Sequence, residues 1–406
     1  MLTNKKVTIY VTGGIAVYKA ADLVRKFIKA GAEVKVAMTA SAQEFVTPLT
    51  FKVLSKHDVY TDTFDEKDAQ FVSHIHLADW TELAVIAPAT ANIVAKMANG
   101  IADDFVSTAL LATTAPRLIV PAMNQHMLEN PATARNMEAL KSYGYEIMEP
   151  DTGFLAEGYE GKGRMPEPEK IVEAAQLVVL NNAKELPLKG KKVLITAGGT
   201  KERIDPVRFI SNDSSGKMGY SLAKAARDLG AEVTLVTATN LLPIPFGVES
   251  IYVQSSEEME SEVLDKFHNL DMVIMAAAVS DYRPKTQANV KIKKTNEDLT
   301  LVLEKTTDIL AELGKRKKGQ FLIGFAAETN DVEHYALDKL KRKNADMIVA
   351  NDVSKEYAGF NKETNEVTIF QADKEPIQIS VRSKDLIAEE ILYAAIDSMH
   401  DDVDAG

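Results

Sequence analysis

The sequence predicts an α/β protein built as two doubly wound domains. Three observations point that way. First, the apolar runs are continuous rather than alternating, as in strands buried on both faces of a parallel sheet. They are VTIYV (7–11), VKVAM (34–38), LAVIAPA (83–89), RLIVPA (117–122), VLIT (193–196), VTLVT (233–237), MVIMAAA (272–278), FLIGFAAE (321–328) and MIVAND (347–352). Second, amphipathic helical patterns separate these runs, which is the strand–helix alternation of a doubly wound sheet. Third, two segments begin alike. Residues 5–39 and 190–238 each read strand, glycine turn, amphipathic helix ending at Gly-Ala, strand.

The second start implies a second domain. Residues 181–192, NNAKELPLKGKK, are polar and follow the helical pattern EPEKIVEAAQLVVL. The boundary is therefore expected between about 181 and 190, giving domains of 1–185 and 190–406. The chain has 406 residues, 46% of them hydrophobic and 26% charged, which excludes global disorder. Lys plus Arg is 47 and Asp plus Glu is 59, a net charge of −12, which argues against a nucleic-acid partner. Cysteine is absent, and with it disulfides, thiolate metal sites and any cysteine nucleophile. No apolar run approaches the ~20 residues that span a bilayer. MLTNKKVTIYVTGG reads as a first strand rather than a signal peptide, so a cytoplasmic protein without membrane contact is expected.

In the first half, TGGIAVYK places two glycines between a strand and a helix start. Such glycines let the backbone approach an anion, or simply make a tight turn. The pattern is not GxGxxG. SHIHLADW carries His74 and His76, APATANIVAKMANGIADD follows a buried strand, and PAMNQHM ends another with Asn124. Polar groups at the carboxyl ends of parallel strands are where doubly wound folds bind ligands. Taken singly, His74 could be an ordinary surface or core histidine, and PAMN a plain strand exit.

In order, these segments resemble the homo-oligomeric flavin-containing cysteine decarboxylase family. The resemblance implies a flavodoxin-like fold, FMN as cofactor, and decarboxylation of a C-terminal cysteine or cysteine conjugate. It implies that Gly13, Gly14, Ala16, Thr39 and Ser107 lie near FMN, that His74 is the catalytic base, and that Asn124 holds the substrate carboxylate. The chemistry suits these residues. Direct loss of CO2 from a cysteine conjugate leaves an unstabilised carbanion, whereas oxidation at the carbon bearing sulfur supplies an electron sink. A histidine suits removal of the thiol proton. An amide can bind a carboxylate without adding charge.

One departure matters. DTGFLAEGYEGKGRMPEP (151–168) resembles the family's substrate flap, where many members carry a cysteine thought to donate a proton in the final reduction. Here Glu157 stands at that position. It is either the replacement donor, with its acidity tuned by enclosure, or an exposed flap residue.

In the second half, ITAGGTKERIDPVRFISNDSSGKMG joins a strand to a helix. SSGKMG is not a P-loop, because Met218 stands where Ser or Thr would bind magnesium. Its Ser/Gly turn and basic residues still suit an anion. AAAVSDYRP ends a buried strand with Asp281. KIKK puts Lys291 and Lys293 on one face if extended, either as a solvated run or as a phosphate contact. Lys339 and Lys343, four apart, share a helix face and repel unless an anion sits between them.

These pieces, with GFAAETN and DKLKRKNADMIVAND, resemble bacterial phosphopantothenate–cysteine ligases, the usual C-terminal partner of the decarboxylase. The resemblance covers essentially the whole chain. It implies a Rossmann-like ligase in which CTP activates 4′-phosphopantothenate as an acyl-cytidylate and cysteine's amine then attacks. It further implies that Asn212 contacts the acyl-cytidylate and that Lys291 stabilises charge on the phosphoryl group. Met275, Ala276, Ala277, Asp281, Thr307, Asp308, Ile309, Leu310, Phe325, Lys339 and Lys343 are then expected to line the CTP site. Mg2+ screens the phosphates, with Asp281 as candidate ligand. It also implies a homo-oligomer that combines trimeric decarboxylase contacts with dimeric ligase contacts. Two rivals are weaker. A dehydrogenase lacks its GxGxxG in both halves, and a flavin-binding regulatory subunit has no use for a ligase half.

Overall fold

The computed structural model describes residues 2–65, 72–182, 185–294, 298–328, 332–352, 362–372 and 374–404. The chain divides into two compact units, Met1–Lys184 and Glu185–Gly406.

The first unit is built on six strands: β1 (Lys6–Val11), β2 (Glu33–Met38), β3 (Val59–Tyr60), β4 (Leu83–Ala89), β5 (Arg117–Pro121) and β6 (Glu146–Ile147). They lie in the order β3-β2-β1-β4-β5-β6, and every pairing is parallel. Alternate residues face two cores, which explains the continuous apolar runs. On one face Ile9, Val11, Val36 and Val85 pack with Leu23, Val24 and Phe27 of the helix Val17–Lys29 and Ile171 of Pro168–Asn181. On the other, Tyr10, Ala84, Ile86 and Ile119 pack with Leu77, Ile93, Val94 and Phe105. Each large side chain buried this way contributes about 1.5–3 kcal/mol. Helix starts follow local chemistry. Thr90 caps Ala91–Asn99, and Asp104 forms a capping box on Phe105–Ala112. A hairpin of β7 (Asp151–Phe154) and β8 (Glu160–Arg164) occupies the flap region.

The second unit holds β9 (Lys192–Ala197), β10 (Lys201–Arg203), β11 (Phe209–Ser211), β12 (Glu232–Thr237), β13 (Glu249–Tyr252), β14 (Met272–Met275), β15 (Tyr282–Pro284), β16 (Leu303–Lys305), β17 (Phe321–Glu328), β18 (Met347–Asp352), β19 (Thr364–Gln371) and β20 (Ile377–Ser383). Its main sheet runs β13-β12-β9-β14-β17-β18-β19-β20. Pairing is parallel as far as β18, while β19 and β20 close the edge antiparallel. β10–β11 and β15–β16 form two small antiparallel ribbons. The helices Lys217–Asp228 and Lys384–Asp404 cover one face of the sheet through Ala223, Ala226, Ile387 and Ile391. Met259, Phe267, Leu313 and Leu340 cover the other. Gly219 lets Lys217–Asp228 press against β9, since a Cβ there would lie 2.6 Å from Ala197 Cβ and 2.8 Å from Thr196 O. Among the described residues, no helix is long and apolar enough to cross a membrane.

Candidate active sites

In the first unit the chain leaves β1 towards β2 and β3, then returns to β4 and β5 on the other side. This places a topological switch, and a crevice, beyond the carboxyl ends of β1 and β4. Thr12 stitches those two ends together. Its hydroxyl donates to Pro88 O at 2.7 Å and accepts from Thr90 N at 3.1 Å. Gly13 and Gly14 follow. A Cβ at Gly13 would lie 2.3 Å from Ser41 Cβ, so this glycine answers to packing. At Gly14 the nearest atom would be Thr90 Cγ2 at 3.8 Å, which leaves the backbone open to a ligand. Ala16 stands at the N-cap of Val17–Lys29 without a side-chain cap, and its first turn is closed by the backbone, Val17 N donating to Gly14 O and Lys19 N to Ala16 O, both at 3.0 Å. Thr39 leaves β2 and accepts from Ala42 N at 3.3 Å. These residues share the carboxyl ends of adjacent strands.

Ser107 is placed differently. Its buried hydroxyl donates to Asp104 Oδ1 at 2.9 Å and accepts from Asp104 N at 3.1 Å, so it is engaged in the capping box. His74 lies in the first turn of Ser73–Trp80, which runs back to the start of β4, so that turn is at the carboxyl-end side of the sheet. Its Nδ1 is buried and has no hydrogen-bond partner among the described residues. Such an orphan nitrogen points to a group that binds there.

Asn124 follows β5. Its Oδ1 accepts from His126 N at 2.9 Å, and its Nδ2 donates to Tyr159 Oη at 2.6 Å. Tyr159 belongs to the β7–β8 hairpin, which docks through Met123 N donating to Gly163 O at 3.0 Å. Only glycine allows that approach, since a Cβ at Gly163 would fall 2.0 Å from Met123 O. Glu157 sits exposed at the hairpin tip, two residues from Tyr159. Tyr159 was not singled out in the sequence, though it lies within the flap segment.

The second unit has its switch between β9 and β14, and a cavity of about 370 Å³ opens there. Met275, Ala276 and Ala277 line it from the end of β14, with Asp281 just beyond. Thr307, Asp308, Ile309 and Leu310 line it from the start of a helix, and Phe325 and Lys339 complete that side. Asn212 also lines it, held beside the end of β14 by its Nδ2, which donates to Ala278 O at 3.3 Å and Val279 O at 3.2 Å. Lys339 Nζ donates to Phe325 O at 2.7 Å.

Two expected residues are elsewhere. Lys343 does not line the cavity; it pairs with Asp308, which also accepts from Ala311 N at 3.0 Å. Burial would raise the Asp308 carboxyl, but Lys343 and that N–H outweigh it and hold the carboxyl below its usual range. Lys291 is exposed and also off the cavity wall. It is tethered through its neighbour: Ile292 N donates to Asp205 Oδ2 at 3.1 Å, and Arg208 Nη2 donates to Ile292 O at 2.8 Å.

Other wall residues were not foreseen. Ser280 is buried, and among the described residues its hydroxyl has no partner. Asn351, Asn365 and Lys384 come from distant segments, whereas Lys217 belongs to SSGKMG, whose basic residues the sequence already marked as suited to an anion. Burial, then repulsion from Lys217, push Lys384 down to about 8, and Glu363 partly opposes them.

Two protein-family models match the chain. "Flavoprotein" covers residues 1–179, and "DNA/pantothenate metabolism flavoprotein C-terminal domain" covers 188–399. The coenzyme A biosynthesis bifunctional protein CoaBC of Bacillus subtilis is 53% identical over 393 residues, 97% of each chain. Its namesake from Vibrio cholerae is 45% identical over 98% of this chain and 99% of its own. A cysteine/cysteine sulfinic acid decarboxylase from an unidentified prokaryote is 46% identical over 87% of this chain and 100% of its own. With both halves matched in order over nearly its full length, the chain belongs to the family of bifunctional coenzyme A biosynthesis proteins, with a flavoprotein decarboxylase half and a ligase half.

Proposed function

We propose that the second unit activates 4′-phosphopantothenate with CTP, as an acyl-cytidylate, and joins it to cysteine. The first unit then decarboxylates 4′-phosphopantothenoylcysteine to 4′-phosphopantetheine with FMN. The observation that supports this most is the presence of two separate switch-point sites in one chain. One offers an amide and an orphan imidazole nitrogen; the other is a lysine-bearing cavity.

FMN fits the first site. The open backbone at Gly14, just before the start of Val17–Lys29, and the hydroxyls of Thr39 and Thr90 suit a phosphorylated ring system. When bound, FMN supplies the two-electron oxidation and its later reversal. His74 takes the thiol proton at its orphan nitrogen. Asn124 presents its amide to the substrate carboxylate, in exchange for Tyr159. Ser107 holds the loop around the site rather than touching the cofactor. Glu157, carried on the hairpin that reaches Asn124, returns the final proton.

In the ligase half, Asn212 contacts the acyl-cytidylate, and Lys291, positioned by Asp205 and Arg208, steadies charge on the phosphoryl group. Among the described residues, no cluster of three or more His, Asp or Glu side chains could hold a metal ion. Mg2+ therefore fits as an ion carried on the nucleotide phosphates, with Asp281 as a single carboxylate ligand. The reading extends to a cytoplasmic homo-oligomer with trimeric contacts in the first unit and dimeric contacts in the second. Exposed Ile15, Tyr18 and Leu49 in the one, and Val290 and Val302 in the other, suit such contacts.

The test is one incubation of full-length protein with 4′-phosphopantothenate, cysteine, CTP and Mg2+, read by mass spectrometry. CTP-dependent 4′-phosphopantetheine is expected. Consumption of free cysteine as sole substrate, with no conjugate formed, would instead favour the chemistry of the prokaryotic cysteine decarboxylase. For Glu157, we expect Glu157→Gln to accumulate a product lighter by two hydrogens, the unsaturated enethiol. Normal saturated product from that variant would remove Glu157 from the role.

A further inference from the structure

Lys384 opens the helix Lys384–Asp404, and Lys217 opens Lys217–Asp228. Both line the ligase cavity. The start of the last helix is tied to the middle of Lys217–Asp228: Ser221 Oγ donates to Asp385 Oδ1 at 2.6 Å, and Lys224 Nζ lies 3.3 Å from Asp385 Oδ2. Two lysines, each the first residue of a helix, thus line one cavity and repel each other. Lys384 is 5% exposed, and the Glu363 carboxylate that pairs with Lys217 is turned largely to solvent. The buried Ser280 hydroxyl, which also lines the cavity, lacks a partner among the described residues, an independent sign that a polar ligand completes the site.

We propose that Lys384, together with Lys217, holds phosphate oxygens of the bound nucleotide and so sets the ligase half's demand for a triphosphate. This rests on the CTP reading above. A buried ammonium beside a second one is repelled by it unless an anion of high charge sits between them. A triphosphate carries more charge than the single phosphomonoester of the acid substrate, so it relieves that repulsion better.

The proposal has a proton signature. Among the described residues, Lys217 and Glu363 act on Lys384, with Asp385 next in sequence and held by Ser221 and Lys224. Without nucleotide its pKa lies at about 8. Bound phosphates raise it, so nucleotide binding at pH 8 draws in about half a proton. Because the bound-state value is the higher one, this gain in affinity is full below pH 8 and fades as pH rises through the bound value.

Calorimetric titration of Mg2+–CTP into the full-length protein at pH 8, in two buffers of different ionisation heat, reads this uptake. Lys384→Gln should bind CTP about 10- to 100-fold more weakly and take up no proton, with KM for cysteine unchanged. Lys384→Arg keeps the charge but does not titrate. It should hold CTP within about tenfold of the wild type, again without uptake. CTP binding by Lys384→Gln within twofold of the wild type overturns the proposal, as does half a proton still taken up by Lys384→Arg. Equal losses for CTP and cysteine would make the residue structural. A rise confined to the KM for 4′-phosphopantothenate would assign the lysines to that phosphate instead. If the wild type binds no CTP, the nucleotide reading itself falls and takes this inference with it.

Discussion

His74→Gln is expected to lower decarboxylation by about 10²- to 10⁴-fold while ligation continues, so that 4′-phosphopantothenoylcysteine accumulates. Glutamine keeps a polar side chain on the same helical turn but cannot accept a proton near neutral pH. The buried, partnerless Nδ1 gives the prediction a second reading. Leaving such a group unsatisfied costs about 1–3 kcal/mol. A fold that retains it is expected to gain something at another stage, and here that is a thiol proton. The variant should therefore bind FMN, seen in its visible absorbance, and melt no lower than the wild type. Stability sacrificed at a site of chemistry commonly returns when the chemical group is removed. The decisive measurement supplies phosphopantothenoylcysteine directly and follows CO2 or product mass. Wild-type turnover by His74→Gln would exclude His74 as the base.

What could be read from the sequence was what depends on local pattern. Continuous apolar runs marked the parallel strands because each is covered on both faces. The motif segments landed at strand carboxyl ends because doubly wound topology gathers them there. The hairpin β19–β20 escaped notice because polar residues interrupt its apolar ones. TNEVTIFQ sets Asn365 and Thr368 among its buried apolar residues, and IQISVRS buries only Ile379, so neither forms a continuous apolar run. That hairpin, with the last helix, delivers Asn365 and Lys384 to the cavity from over a hundred residues beyond SSGKMG, and nothing local announces it. Ser280 adjoins Asp281, but an unsatisfied hydroxyl is visible only once its neighbours are in place. The i, i+4 spacing of Lys339 and Lys343 placed both on one helix face, yet only Lys339 reaches the cavity, while Lys343 is used to hold Asp308. Spacing fixes a face, whereas length and neighbours decide what a lysine touches.

Asn212→Asp should lower ligation by about 10²- to 10³-fold and leave decarboxylation of supplied phosphopantothenoylcysteine unchanged. The residue is held from two sides. Its backbone carbonyl crowds Gly199, where a Cβ would lie 2.5 Å from Asn212 O. Its amide donates to the carbonyls of Ala278 and Val279 at 3.3 and 3.2 Å. These bonds orient the other face of the amide and pin it beside the end of β14. The substitution changes almost no volume. It replaces the donating NH2 with an oxygen facing two carbonyl oxygens, so attraction becomes repulsion at both contacts. It also adds a negative charge to a cavity read here as a site for a triphosphate and an acyl phosphate. Asn212→Ala removes the contact without adding charge and should lose less. The ordering wild type, then Ala, then Asp is therefore the signature, read as pyrophosphate release with 4′-phosphopantothenate, cysteine and CTP. If Asn212→Asp ligates within a few-fold of the wild type, the anion is bound elsewhere in the cavity and Asn212 serves only to fasten the loop.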